Sequence, residues 1–151
     1  MPYTLDELEE ALAARIEAID PTPYQHAIGD AFNETRLPLT TVQSDSALQA
    51  DLAFSVSVES APVVDDGQAS EGQLSVLATV AVVFLYRLRS DDQRRDTRTA
   101  IHAARAVTAA VMQPAVEWGS AHPINVYEPQ AMQGEFLPVR LTFHCLIDLA
   151  I

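Results

Sequence analysis

Residues 74 to 88, LSVLATVAVVFLYRL, constrain this chain more than any other stretch. No charge interrupts the run before Arg87, and strict alternation splits it into two apolar sets. Val76, Ala78, Val80, Val82, Phe84 and Tyr86 occupy one side, and Leu77, Thr79, Ala81, Val83 and Leu85 the other. A helix crossing a membrane needs about 18 apolar residues or more, so the run is too short for that. Its β-branched Val and Thr favour a strand instead. A strand with two apolar sides needs cover on both. Its own chain can supply one side, and the expectation for the other is contact with further copies of the chain.

Two helices are legible around this strand. Thr4 and Glu7 form a TxxE capping box, followed by Leu5, Leu8, Leu12, Ile16 and Ile19 at spacings of three and four, with Asp20, Pro21 and Pro23 as the stop. The second runs from N-cap candidates Ser90, Asp91 and Asp92 to about Met112, ahead of Pro114, with the stripe Ala100, Ile101, Ala104, Val107 and Val111. Alternation in LAFSVSVES sets Phe54, Val56 and Val58 against Ser55, Ser57 and Glu59, and predicts a half-buried strand over 53–60 that forms a long hairpin with 74–88. Between them, APVVDDGQASEGQ has the composition of a mobile loop. A short strand is expected near 27–32 with irregular chain to 50, and a Pro-containing linker through Trp118 and Gly119. The last strand is FLPVRLTFHCLIDLAI, in which Leu137, Val139, Leu141, Phe143, Cys145, Ile147 and Leu149 form one apolar side. The order predicts a single α+β domain over 1–151: a mixed, mainly antiparallel sheet with two helices on one face.

Charge narrows the functional classes. The chain has 21 acidic and 9 basic residues, a formal net charge of −12. Such a surface repels nucleic-acid phosphate and acidic membranes alike. Every basic residue is Arg and none is Lys, which fits a GC-rich genome or a salty habitat. One cysteine cannot form a disulfide within the chain, so a cystine scaffold is excluded. MPYTLDELEE lacks the basic start and apolar run of a signal peptide, so export by that route is not expected.

Candidate chemistry is sparse. His26, His102, His122 and His144 show no HxH or HExxH spacing, and neither GDAF nor DDGQASEG is a phosphate-binding loop. Asp65 and Asp66 lack the alternating oxygen ligands of a calcium loop. Cys145 shares a strand side with Phe143 and Ile147, so it reads as a small buried hydrophobe; His144 points the other way. No catalytic residue, cofactor or metal is predicted. A rival enzymatic or ligand-binding reading would need a pocket around Arg140, His144 and Tyr86.

Two charge stripes carry more. Arg94, Arg98 and Arg105 lie at offsets of four and seven on the second helix, and Asp6, Glu10 and Glu17 repeat those offsets on the first with opposite sign. Both can simply be solvated faces. Alternatively, one subunit's Arg stripe faces a neighbour's acidic stripe and fixes their rotation. Leu77, Val83 and Leu85 are the apolar candidates for the same subunit contact, and a head-to-tail contact that closes makes a ring.

The layout of TLDELEEALAARIEAID, LAFSVSVES with LSVLATVAVVFLYRL, DDQRRDTRTAIHAARAVTAAVM and FLPVRLTFHCLIDLAI resembles the tail-terminator, or tail-completion, proteins of tailed phages and related viruses. The resemblance implies a structural virion protein with no enzymatic activity and no cofactor. It implies a homo-oligomeric ring, usually a hexamer, at the head-proximal end of the tail, assembled in the host cytoplasm. Such a ring caps the tail tube, ends its polymerisation and meets the neck or connector, while DNA passes through without specific binding. The acidic balance suits that passage. In this setting Asp65, Asp66, Gly67 and Glu71 are expected to touch tube or neck. Another head–tail connector, or a tail-tube protein, is the nearest alternative.

Overall fold

The apolar run becomes the centre of the sheet, and the other elements are arranged around it. The computed structural model describes residues 4–19, 24–26, 52–87, 93–113, 121–131 and 136–150. In chain order these form α1 (Leu5–Glu17), β1 (Tyr24–His26), β2 (Leu52–Ser60), β3 (Val63–Asp65), β4 (Gln73–Arg87), α2 (Gln93–Val111), β5 (Ala121–Pro129) and β6 (Phe136–Ala150). The strand order is β1-β2-β4-β6-β5, with β3 also paired to β4. Among the described strands only β1 and β2 are parallel; the remaining pairs are antiparallel, so the fold is a mainly antiparallel α+β sheet.

Strands β4 and β6 pair along their whole length of 15 residues, from Gln73 opposite Ala150 to Arg87 opposite Phe136. At about 3.3 Å per residue this ladder is roughly 50 Å long. The predicted hairpin forms, with Leu52 opposite Tyr86 and Val58 opposite Val80. Beyond a bulge at Val58 to Ser60 its outer arm resumes as β3, where Val63 faces Val76. The stretch expected to be a loop is thus folded in part. A 3₁₀ turn at Ala69–Glu71 returns it to β4 through Gly72, whose φ of 84° lies in the left-handed region that glycine adopts without a Cβ clash.

Both helices cover one face. Leu8, Leu12, Ala13 and Ile16 of α1, with Ala100, Ala103, Ala104, Val107 and Val111 of α2, close over Phe54, Val76, Val80, Val82, Phe84, Val139, Leu141, Phe143 and Cys145. Thr4 caps α1 as its spacing predicted, its hydroxyl accepting from the Glu7 N–H at 3.1 Å. Ile101 departs from the predicted stripe: it is exposed, and Ala103 takes the buried position.

The other departures have physical reasons. The strand β5 falls where a linker was expected, since Pro123 and Pro129 argue against an interior strand; at the sheet edge one side of the backbone needs no ladder partner. Pro138 lies inside the sheet on β6. Its carbonyl accepts from the Gln130 N–H at 2.8 Å, so its missing donor turns to that same side, just past the end of β5, and takes no hydrogen bond from the ladder with β4. The strand expected at 27–32, the N-cap candidates Ser90, Asp91 and Asp92, and Trp118 with Gly119 lie outside the described residues.

Candidate assembly surface

The face of the sheet turned away from the helices is where the apolar strand had to find its second cover. Register places Ser55 and Ser57 of β2 beside Val83 and Ala81 of β4, and Arg140, Thr142, His144 and Leu146 of β6 beside Val83, Ala81, Thr79 and Leu77. The expected broad apolar face is therefore a narrow stripe between polar columns. Leu85 and its cross-strand partner Pro138 are already buried within the chain, so Leu85 is not available to a neighbour, and Ala81 is buried as well. Leu77 and Val83 are half-buried. Leu146, opposite Leu77, is exposed at 54% and extends the stripe. It was legible as the one apolar residue in the series Pro138, Arg140, Thr142, His144, Leu146, Asp148.

Charges bridge the columns. Arg140 donates to Glu59 across the width of β4 and lies opposite Glu128 on the edge strand. The Glu59 hydrogen bond, helped by the Glu59 and Glu128 charges and opposed by partial burial, holds the Arg140 pKa above its ordinary value. Its aliphatic stem starts opposite Val83, in position to shield part of the stripe from water. Nearer the hairpin tip, Ser75 donates to Asp148 at 2.7 Å. These two side chains, with Asp65, Gln68 and Gln73, line a polar hollow of about 160 Å³.

The β3 arm lies at this end of the sheet, paired to β4. Val63 and Val64 are exposed at 51% and 55%, and Asp65, Asp66, Gly67 and Glu71 are exposed beside them. Asp65 is already engaged: its carboxylate accepts from the Gly67 N–H at 2.9 Å. A Cβ at residue 67 would sit 3.1 Å from that same oxygen.

On the helical side Asp6, Glu10 and Glu17 of α1 and Arg98 and Arg105 of α2 are exposed. The side chain of Arg94 lies outside the described residues. What does join the helices is Arg15, absent from the sequence reading. Its guanidinium donates to the carbonyls of Val111, at 3.2 Å, and of Gln113, neutralising the carbonyl end of α2. Glu9, also unremarked in the sequence, accepts from the Val58 N–H at 2.8 Å and so occupies a donor on β2 beyond its short pairing with β1. A capping arginine and a carboxylate that takes up a strand N–H carry no local signature; only the packed fold brings them to their partners.

Arg140 and His144 lie on the open face and Tyr86 in the core, so the pocket of the rival enzymatic reading does not assemble. Cys145 is fully buried, and that burial, against a weaker opposing pull from Arg15, pushes its thiol up from 9.0 to about 12. A thiol so held is no nucleophile. Among the described residues no three His, Cys, Asp or Glu side chains stand together as metal ligands, and no helix is long and apolar enough to cross a membrane.

No family model and no curated protein matches the chain. Among solved structures it is similar to a chain of the virion of native gene transfer agent (GTA) particle, with 12% identity, a TM-score of 0.48, and coverage of 96% of this chain and 92% of that one.

Proposed function

We propose that this chain is a structural virion protein that closes into a ring at the end of a tail tube, ends tube growth and offers its other surface to the neck. The observation that carries the reading is the layout: a capped N-terminal helix, a long hairpin with an exposed arm, a second helix and a long strand after it, with α1 and α2 on one face and, among the described residues, no element packed on the other. A half-open sheet with a narrow apolar stripe suits contact between copies better than an isolated monomer. The net charge of −12 suits a passage through which DNA slides without adhering. In the ring, the Arg98 and Arg105 side of α2 meets a neighbour's Asp6, Glu10 and Glu17, and the β3 arm reaches the tube or neck.

Light scattering over a wide concentration range, with negative-stain images of the same sample, tests this. Closed rings, or a monomer that becomes a ring only on tail tubes, support the terminator reading. Filaments would make it a tube protein, and a stable dimer would remove the ring. Within the ring reading, changing Arg98 and Arg105 together to Glu should weaken assembly, because like charges would then face each other. Unchanged assembly in that variant would sink the proposed contact while leaving the ring itself standing.

A further inference from the structure

We propose that His122 and His144 form a two-point binding site for a divalent transition-metal ion of the Ni²⁺ or Zn²⁺ class. The inference rests on strand register and is independent of the ring. His122 on β5 and His144 on β6 are direct cross-strand partners, so their side chains leave the same face of the sheet, the one turned away from α1 and α2. Directly opposed residues hold their Cβ atoms about 4.5–5.5 Å apart. Two imidazole nitrogens each about 2.0–2.1 Å from one ion can converge from that separation. The histidines are 22 residues apart in sequence and show no chelating motif, which is why spacing alone does not reveal them.

The backbone beneath the pair is held on both sides. Ala121 pairs with Cys145 on one flank and Pro123 with Phe143 on the other, just ahead of a register shift between Pro123 and Asn125, and Ala121, Cys145 and Phe143 are buried in the core. The two rings are thus carried by strands that cannot easily slide, the rigidity a chelating pair needs. His122 is exposed and His144 half-buried, and neither forms a hydrogen bond or ion pair among the described residues. Thr79 and Thr142 flank His144 on this face. Among the described residues the nearby charged groups are committed elsewhere: Arg140 to Glu59, Glu128 to Asn125 and Gln130, and Asp148 to Ser75. With β5 at the sheet edge, the remaining coordination positions open to water, which completes the shell around two imidazoles.

The experiment is calorimetric titration of the full chain with NiCl₂, and separately with ZnCl₂, alongside His122→Gln, His144→Gln and the control His102→Gln, a histidine exposed on α2. One ion per chain is expected, with affinity reduced at least about tenfold by either sheet variant and unchanged in the control. Absence of binding by the native chain, binding retained in both sheet variants, or loss in the control would overturn the site. A readout that needs no variant is histidine side-chain NMR of the native chain with sub-stoichiometric Ni²⁺. The rings of His122 and His144 should broaden together before that of His102; broadening of only one, or of His102 first, rejects the pair.

Discussion

The two sides of β4 differ in what covers them, although the strand itself is apolar on both. On the helical side Val76, Val80, Val82 and Phe84 have no exposed surface, because α1 and α2 close over them. On the other side Val83 and Leu77 are only half-buried, bordered by serine, threonine, arginine and histidine from β2 and β6. Amphipathicity here belongs to the sheet and not to the strand. A central strand can be apolar throughout if its neighbours alternate, since their polar side chains keep water in contact with the open face.

Adjacent residues provide the sharpest way to break that comparison. Phe84→Ala should cost about 3–5 kcal/mol in urea unfolding, the range for emptying a buried aromatic site, whereas Val83→Ala should cost about 1 kcal/mol. Equal losses would mean that the two sides are equally covered. If Val83 contributes to contact between copies, its variant should also lower the assembled mass measured by light scattering.

Next in size is the link between the helices on the covered side. Arg15→Ala leaves the last carbonyls of α2 without their cation and should lower stability by about 1–2 kcal/mol, seen as an earlier thermal transition. Of similar size over its first pH unit is the alkaline response of Cys145. Its thiol ionises near 9.0 when exposed and at about 12 in the fold, so above pH 9 the unfolded chain releases a proton that the folded chain retains. That group's contribution should therefore fall by about 1.4 kcal/mol per pH unit between those values, and Cys145→Ala should flatten the slope. The smallest effect belongs to the open face. Glu59→Ala should change stability by less than about 1 kcal/mol, because the ion pair with Arg140 is partly exposed, and the difference should shrink in high salt.

These contrasts also show what was legible in the sequence. Helix α1, the long hairpin and the buried side of β6 follow from periodicity that a single segment contains. The alternation in LAFSVSVES and FLPVRLTFHCLIDLAI was equally visible, yet only strand order reveals that both segments flank β4 and line its second side with polar groups. Hence Leu85 seemed open in the sequence and is buried in the fold, while Leu146 was overlooked and is exposed. For β5, two prolines and exposed Ile124 and Val126 erased the usual strand signal, since an edge strand obeys weaker rules.

The long ladder between β4 and β6 has a consequence in time. It joins Gln73 to Ala150, and β6, the last strand in chain order, inserts between β4 and β5. Until that insertion the most apolar strand lacks its principal partner, so the core cannot close progressively as earlier elements emerge during synthesis. Contacts this distant in sequence slow the search for the native state and prolong exposure of sticky intermediates. Refolding in vitro should accordingly be slow and concentration-limited.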